Sequence, residues 1–344
     1  MSDTTVLAAG DSFVLPGLFA DAVRVAVPGA VVRELKLPWP DQPFGEIAEV
    51  SEASGTENQL IEALSGCSAL VSQLAPVTEH VFENAPDLRF VGVSRGGPVN
   101  VNLDAARERG VVVVNAPGRN AIATAEMTVA LMLAVTRGVP AAHAGLAAHK
   151  WQGELYRFDC SGIEIAGTTV GLVGYGAVGK IVARILMAMG AEVLVYDPFV
   201  AEDELPAGIE RLDNVDALFL RSGIISLHAR LTPETHGILS GERIALMPPG
   251  GFVINAARGP LADYDAIVSA LRSNHLAGAA FDVFPDEPVD FGHPLFDLLD
   301  SGANIVLTPH IAGASQQVAR RAATIVAGEF ARFLSGEPLR YRLS

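Results

Sequence analysis

Along the first third of the chain, short apolar runs alternate with stretches whose apolar residues return every three or four positions. The runs "TTVLAAG", "VVRELKL", "SALVSQL", "LRFVGVS" and "VVVVNAPG" read as strands. Between them "GLFADAVRVAV", "ENQLIEALSG", "EHVFENAP" and "LDAARERG" read as helices, the last closed by Gly110. Such alternation predicts βα units and a parallel sheet. A long helix from about Asn120 to Arg137 breaks the rhythm and is expected to carry the chain into a second domain. The stretch "RGVPAAHAGLAAHKWQGELYRFDCSG" reads as irregular connection. From Thr168 a second βα series begins, with strands near "TTVGLVG", "EVLVYD", "IISLHA", "GFVINA", "AGAAFDV" and "NIVLTPH". The final helix, about Gln316 to Leu334, is expected to return to the first domain and make it discontinuous.

Composition agrees with two α/β domains. The chain has 344 residues, half of them hydrophobic and only 6% aromatic, which suits close helix-on-sheet packing. The net charge of −15 argues against nucleic acid as a partner. Cys67 and Cys160 lie outside any metal-ligand spacing, so two reduced thiols, a cytoplasmic location and no metal are expected. The opening "MSDTTVLAAGDSF" lacks a basic stretch, so no signal peptide is expected. The apolar segment Asn120 to Val135 holds Glu126 and is too short to span a bilayer, so no membrane partner is expected.

The first chemical signal is Gly174-Tyr175-Gly176-Ala177-Val178-Gly179, which follows an apolar strand and opens a helix. The first glycine permits a tight turn, the second lets backbone approach a pyrophosphate, and the third allows helix to pack on strand. Asp197 closes the next strand, where a carboxylate binds a ribose diol and repels a 2′-phosphate, so NAD is the expected cofactor rather than NADP.

Three more residues stand after strands of the second series or in the adjoining loops. Arg258 follows "VINAA", Glu287 lies in "FDVFPDEP", and His310 ends "NIVLTPH". Ligands of open α/β sheets bind at the carboxyl ends of strands, so all three can reach one crevice. Each alone has a bland account: a surface ion pair, a solvated glutamate, a turn cap. Together they suit hydride transfer on a 2-keto acid. Arginine grips the carboxylate and polarises the carbonyl, histidine moves the proton, and a carboxylate raises and orients the histidine.

The segments "NAPGRNAIATAEMTVALML", "GTTVGLVGYGAVG", "MPPGGFVINAARGPLADYDAI", "FDVFPDEP" and "LTPHIAG" resemble the D-isomer-specific 2-hydroxyacid dehydrogenase family, which includes phosphoglycerate, glycerate and D-lactate dehydrogenases. The resemblance covers about residue 90 to the C-terminus. It implies a flavodoxin-like substrate domain, residues 1–117 with 311–344, and an inserted Rossmann domain, residues 118–310. It implies Arg258, Glu287 and His310 as catalytic residues, with His228, Ala256, Ala257, Asp282 and Gly313 joining the glycine loop and Asp197 on NAD. A homodimer is implied by the same analogy.

The sequence also departs from the family pattern. The substrate loop, often Gly-Ala-Gly-x-Asp-Asn, reads "SRGGPVNVN" here. Ser94, Arg95, Gly96 and Gly97 are the candidate substrate-binding residues, and Asn100 keeps the Asn position. Arg95 either serves a second anionic or polyhydroxy group, such as a phosphate, or pairs with an acid of this acidic chain. Arg230 stands where proline is usual and could reach a 2′-phosphate. The chain stops soon after "EFARFLSGEPLRYRLS", so no C-terminal regulatory domain is expected. The substrate is expected to be a small 2-hydroxy or 2-keto acid. The alternatives are a non-catalytic NAD(H)-responsive protein of the corepressor type and a formate dehydrogenase, in which glutamine rather than Glu287 would pair with the histidine.

Overall fold

A computed structural model describes residues 4–39 and 45–344. The chain forms two compact units, Met1–Asn120 with Ala314–Ser344 and Ala121–Gly313. These limits lie slightly later than the expected 117/118 and 310/311. The crossover helix begins at Ala121, and the loop after the last strand of the second unit runs on past His310 before the chain returns.

Unit 1 holds β1 (Thr5–Gly10), β2 (Val31–Lys36), β3 (Ala69–Ser72), β4 (Phe90–Val93) and β5 (Val112–Val114), in the order β2-β1-β3-β4-β5. Every pairing is parallel, and the order is the flavodoxin-like one. The three central strands are apolar on both faces because helices cover both sides. One cover is the C-terminal helix Gln316–Ser335, capped by Ser315 and ended by Gly336 at φ 71°. Gly92 lets it approach, since a Cβ there would stand 3.1 Å from that of Val326. Phe90 meets Phe330 at 5.1 Å between ring centres.

Unit 2 continues with β6 (Thr169–Val173), β7 (Glu192–Tyr196), β8 (Ile209–Arg211), β9 (Ile224–Leu227), β10 (Gly251–Asn255), β11 (Leu276–Phe281) and β12 (Ile305–Leu307). The all-parallel order β12-β11-β10-β9-β6-β7-β8 is a Rossmann sheet with one further strand beside β11. The helix Ala121–Thr136 lies on it through fully buried Ala125, Met132 and Val135. Gly278 admits that helix: a Cβ there would fall 2.7 Å from a methyl of Val135.

Two elements were not anticipated. β8 is a three-residue edge strand paired on one side only, too short and too exposed to show an apolar run. The helix Val139–Ala147 occupies a stretch expected to be irregular. None of its residues is buried in the chain, so no apolar stripe marked it.

Candidate active site

The glycine loop joins β6 to the helix Ala177–Ala188. Gly174 sits at φ 100°, and a Cβ there would lie 2.7 Å from the backbone nitrogen of Ala229. A Cβ on Gly179 would lie 2.3 Å from the carbonyl oxygen of Gly174, so helix and turn touch backbone to backbone. Gly176 differs: nothing lies within 4 Å of the position its Cβ would take. It caps the helix without a side-chain hydrogen bond, leaving first-turn N–H groups facing open space. Gly176 and Ala177 are exposed, Val178 is half-buried, and Tyr175 is buried. These residues fit a dinucleotide pyrophosphate.

Asp197 follows β7 and remains half-exposed. Its carboxylate accepts from Tyr175 N at 2.7 Å and Phe199 N at 2.9 Å, so it braces the glycine loop and keeps lone pairs for a ribose. His228 follows β9, with Nε2 3.0 Å from Ser226 Oγ, and burial pulls it down to about 4, which keeps the ring neutral near pH 7. Arg230 is exposed.

Arg258, Glu287 and His310 follow β10, β11 and β12, three adjacent strands of one sheet. Buried Asn255, the last residue of β10, shapes the first loop: its side-chain amide donates to Arg258 O at 2.8 Å and accepts from Ala257 N at 3.0 Å. The Arg258 side chain is exposed, and its Nη1 donates to Ala257 O at 2.6 Å. Gly259 seats this loop on the next one, because a Cβ there would stand 1.8 Å from Phe284 O. The glycine admits the backbone of the loop that carries Glu287.

Glu287 accepts from Phe284 N at 3.0 Å through one oxygen and meets His310 Nδ1 at 2.5 Å through the other. The hydrogen bond to Glu287 raises the His310 pKa above its ordinary value against the effect of burial, helped by the charges of Glu287 and Asp282 and opposed by Arg258. Burial acts to raise the Glu287 carboxyl, but its bonds to His310 and Phe284 and the charges of His310 and Arg258 together hold it low. The pair is therefore imidazolium and carboxylate over a wider pH range than free histidine would allow. With Nδ1 engaged, Nε2 is the nitrogen left for a substrate.

His310 adopts φ 52°, a left-handed conformation that costs a non-glycine residue about 1–3 kcal/mol. Asp282 holds it there. Its backbone carbonyl accepts from His310 N at 2.8 Å. Its fully buried carboxylate accepts from Thr308 Oγ1 at 2.5 Å, Ile311 N at 2.9 Å and Ala312 N at 2.7 Å. Asp282, expected at the cofactor, has its carboxylate engaged in bracing the histidine loop. Ala256 is buried, while Ala257 and Gly313 are half-buried at the same carboxyl edge. Asn255 and the bracing use of Asp282 escaped sequence reading. The available signal was a polar residue closing an otherwise apolar strand.

In unit 1 Ser94 is buried after β4, and Gly96 and Gly97 are exposed with no atom within 4 Å of an added Cβ. Arg95 is bound to Glu52, through an ion pair with its carboxylate and a bond to its carbonyl oxygen at 3.1 Å. Asn100, the retained asparagine, is fully buried and donates to Ala75 O at 2.8 Å.

Fold and site thus define a Rossmann-type dinucleotide-binding protein with a hydrogen-bonded histidine and glutamate at the carboxyl edge of its sheet. Residues 129–312 match the family model of the D-isomer specific 2-hydroxyacid dehydrogenase NAD binding domain. A D-3-phosphoglycerate dehydrogenase of Methanocaldococcus jannaschii is 36% identical over 295 residues, 85% of this chain and 55% of that protein. A glyoxylate reductase of Korarchaeum cryptofilum is 35% identical over 288 residues, 83% of this chain and 85% of that protein. The crystal structure of the TT0316 protein from Thermus thermophilus superposes with a TM-score of 0.77 at 31% identity, covering 99% of this chain and 100% of that one. The chain belongs to the D-isomer specific 2-hydroxyacid dehydrogenase family. It spans little more than half the length of phosphoglycerate dehydrogenase relatives such as that of M. jannaschii (55%). Its cofactor is NAD.

Proposed function

We propose that the chain is an NAD-dependent D-2-hydroxyacid dehydrogenase, moving hydride between NAD(H) and C2 of a 2-hydroxy or 2-keto acid. The observation that carries this is the 2.5 Å pair of His310 and Glu287, held after β12 and β11 beside the loop of Arg258. Bound NAD(H) supplies or accepts the hydride. Arg258 offers the planar donor fork that binds the substrate carboxylate and polarises the C2 oxygen. In reduction, His310 donates its Nε2 proton to that oxygen as charge develops there. In oxidation, neutral His310 takes the proton from the C2 hydroxyl, and Glu287 stabilises the imidazolium that forms. Within unit 1, Gly96 and Gly97 offer open backbone of their own. Glu287 in the place of a glutamine weighs against a formate dehydrogenase.

The test is NADH oxidation with glyoxylate, hydroxypyruvate, phosphohydroxypyruvate and branched 2-keto acids. Turnover of at least one is expected. Tight NADH binding without turnover of any would favour the corepressor-type alternative.

The same reading includes a homodimer and a reducing, cytoplasmic setting with no nucleic acid or membrane partner. Apolar residues crowd the exposed stretch from 139 to 163, where Val139 is 53% exposed, Trp151 86%, Tyr156 95% and Phe158 100%. A second copy of unit 2 is the partner that would cover them. Replacing Trp151 and Phe158 together by serine should yield a monomer in analytical ultracentrifugation. Cys67 and Cys160 are both free thiols. No single helix among the described residues is long and apolar enough to cross a membrane.

A further inference from the structure

Three neighbouring strands of unit 1 end in the same manner. The residue after β1 is Asp11, after β3 Gln73 and after β4 Ser94, and they are 0%, 6% and 0% exposed. Each has a buried oxygen without a partner among the described residues: Asp11 Oδ2, Gln73 Oε1 and Ser94 Oγ. Fully buried Asn100 adds an unpartnered Oδ1, and Arg119 adds an unpartnered Nη1 donor. The register brings these groups together. Ser72 pairs with Ala9 on one side and Val93 on the other, so Gln73 and Ser94 step off the sheet side by side with Asp11 just beyond Gly10. Asn100 is tied to the same edge by its bond to Ala75 O, and burial raises the Asp11 carboxyl above its ordinary range against its backbone bonds and the nearby charges of Arg119 and Arg95.

Buried polar atoms are nearly always hydrogen-bonded in folded proteins, and the carboxyl edge of a parallel sheet is where ligands bind. Five unpartnered atoms at one such edge, beside the open backbone of Gly96 and Gly97, describe a built site. Their chemistry narrows the ligand. The oxygens of Asp11, Gln73 and Asn100 accept hydrogen bonds, Ser94 both donates and accepts, and Arg119 donates. The charges of Asp11 and Arg119 oppose each other, and Glu52 balances Arg95. A phosphate, which brings acceptors and two negative charges, would face Asp11 and two amide oxygens. A run of hydroxyl groups brings a donor and an acceptor at each carbon.

We infer that unit 1 carries a polyol subsite, which binds the hydroxyl-bearing tail of a sugar acid longer than glycerate in preference to a phosphate ester. This rests on the dehydrogenase reading and names its substrate class. Asp11 and Gln73 accept from tail hydroxyls, and Arg119 donates to them. Arg95 is paired with Glu52 and is not the seat of a second anion.

The experiment follows NAD reduction with D-lactate, which has no polar tail, D-erythronate, D-gluconate and 3-phospho-D-glycerate. Higher kcat/KM for D-erythronate or D-gluconate than for both D-lactate and 3-phospho-D-glycerate supports the subsite. Asp11→Asn keeps an oxygen for the backbone bonds and turns the other acceptor into a donor. It should lower the sugar-acid to D-lactate ratio of kcat/KM roughly tenfold, about the worth of one lost hydrogen bond. Gln73→Leu should move the ratio in the same direction. Because both substrates see the same folded fraction, the ratio remains readable in a poorly folding variant. A preference for 3-phospho-D-glycerate, or ratios unmoved in both variants, overturns the subsite and leaves the dehydrogenase reading intact. No reduction with any of the four overturns both.

Discussion

The carboxyl edges of the two sheets are built on opposite principles. Across β10, β11 and β12 each buried polar side chain has its partners. Asn255 holds the Arg258 loop, and Asp282 holds the His310 loop with three bonds to its carboxylate. Across β1, β3 and β4, Asp11, Gln73 and Ser94 each keep a buried oxygen without one among the described residues. An unsatisfied buried polar group costs about 1–3 kcal/mol, whereas a bond to a buried charge contributes about 1.5–3 kcal/mol. One edge is therefore stabilised by its polar residues and the other is destabilised by them. Groups that move protons need fixed positions before the substrate arrives, and groups that recognise a substrate need free valences.

The sharpest way to break that comparison is at the residue proposed to move the proton. His310→Gln should lower kcat by about 10²–10⁴-fold in stopped-flow reduction of a 2-keto acid, with NADH binding retained. A loss under tenfold would remove His310 as the acid. Next in size, Asp282→Asn should cost about 3 kcal/mol of stability in urea unfolding and lower kcat as well, since the left-handed His310 loses its brace. Gly259→Ala, whose new methyl meets Phe284 O, should cost about 1–3 kcal/mol and slow turnover, because the Arg258 and Glu287 loops must part.

Smaller effects test electrostatics and the other sheet. In the reductive direction protonated His310 is the active form, so kcat/KM should fall as pH rises through its raised pKa. In the oxidative direction the profile should rise there instead. Glu287→Gln removes the charge that raises it and should move both inflections to lower pH; unmoved inflections would show that another group titrates. The smallest effect is expected for Gln73→Leu, which replaces a buried amide whose oxygen is unpartnered with an apolar group and should leave Tm within a few degrees of wild type or above it. A large loss of Tm there would mean that Gln73 is structural and that the contrast between the two edges is false.

Much of this was legible in the chain. The period of the apolar residues located eleven of the twelve strands among the described residues and the crossover helix, because strands covered on both faces must be apolar throughout. β8 was missed because it is only three residues long, and the helix Val139–Ala147 because none of its residues is buried. Gly174, Gly176, Gly179, Asp197, Arg258, Glu287 and His310 could be named because residue type and position after a strand identify a chemical task. The bracing bonds of Asp282, and the parts taken by Asn255, Asp11, Gln73 and Arg119, were not legible, because each depends on groups distant in sequence.

The sequence by itself determined which residues can grip a carboxylate, move a proton or admit a pyrophosphate, because those capacities belong to single side chains and their local backbone. Only the tertiary structure decided which polar groups satisfy one another and which are left over. Hydrogen-bond satisfaction is a property of pairs brought together from distant parts of the chain. His310 meets Glu287 and Asp282 across that distance, while Asp11, Gln73 and Ser94 share a sheet edge without pairing.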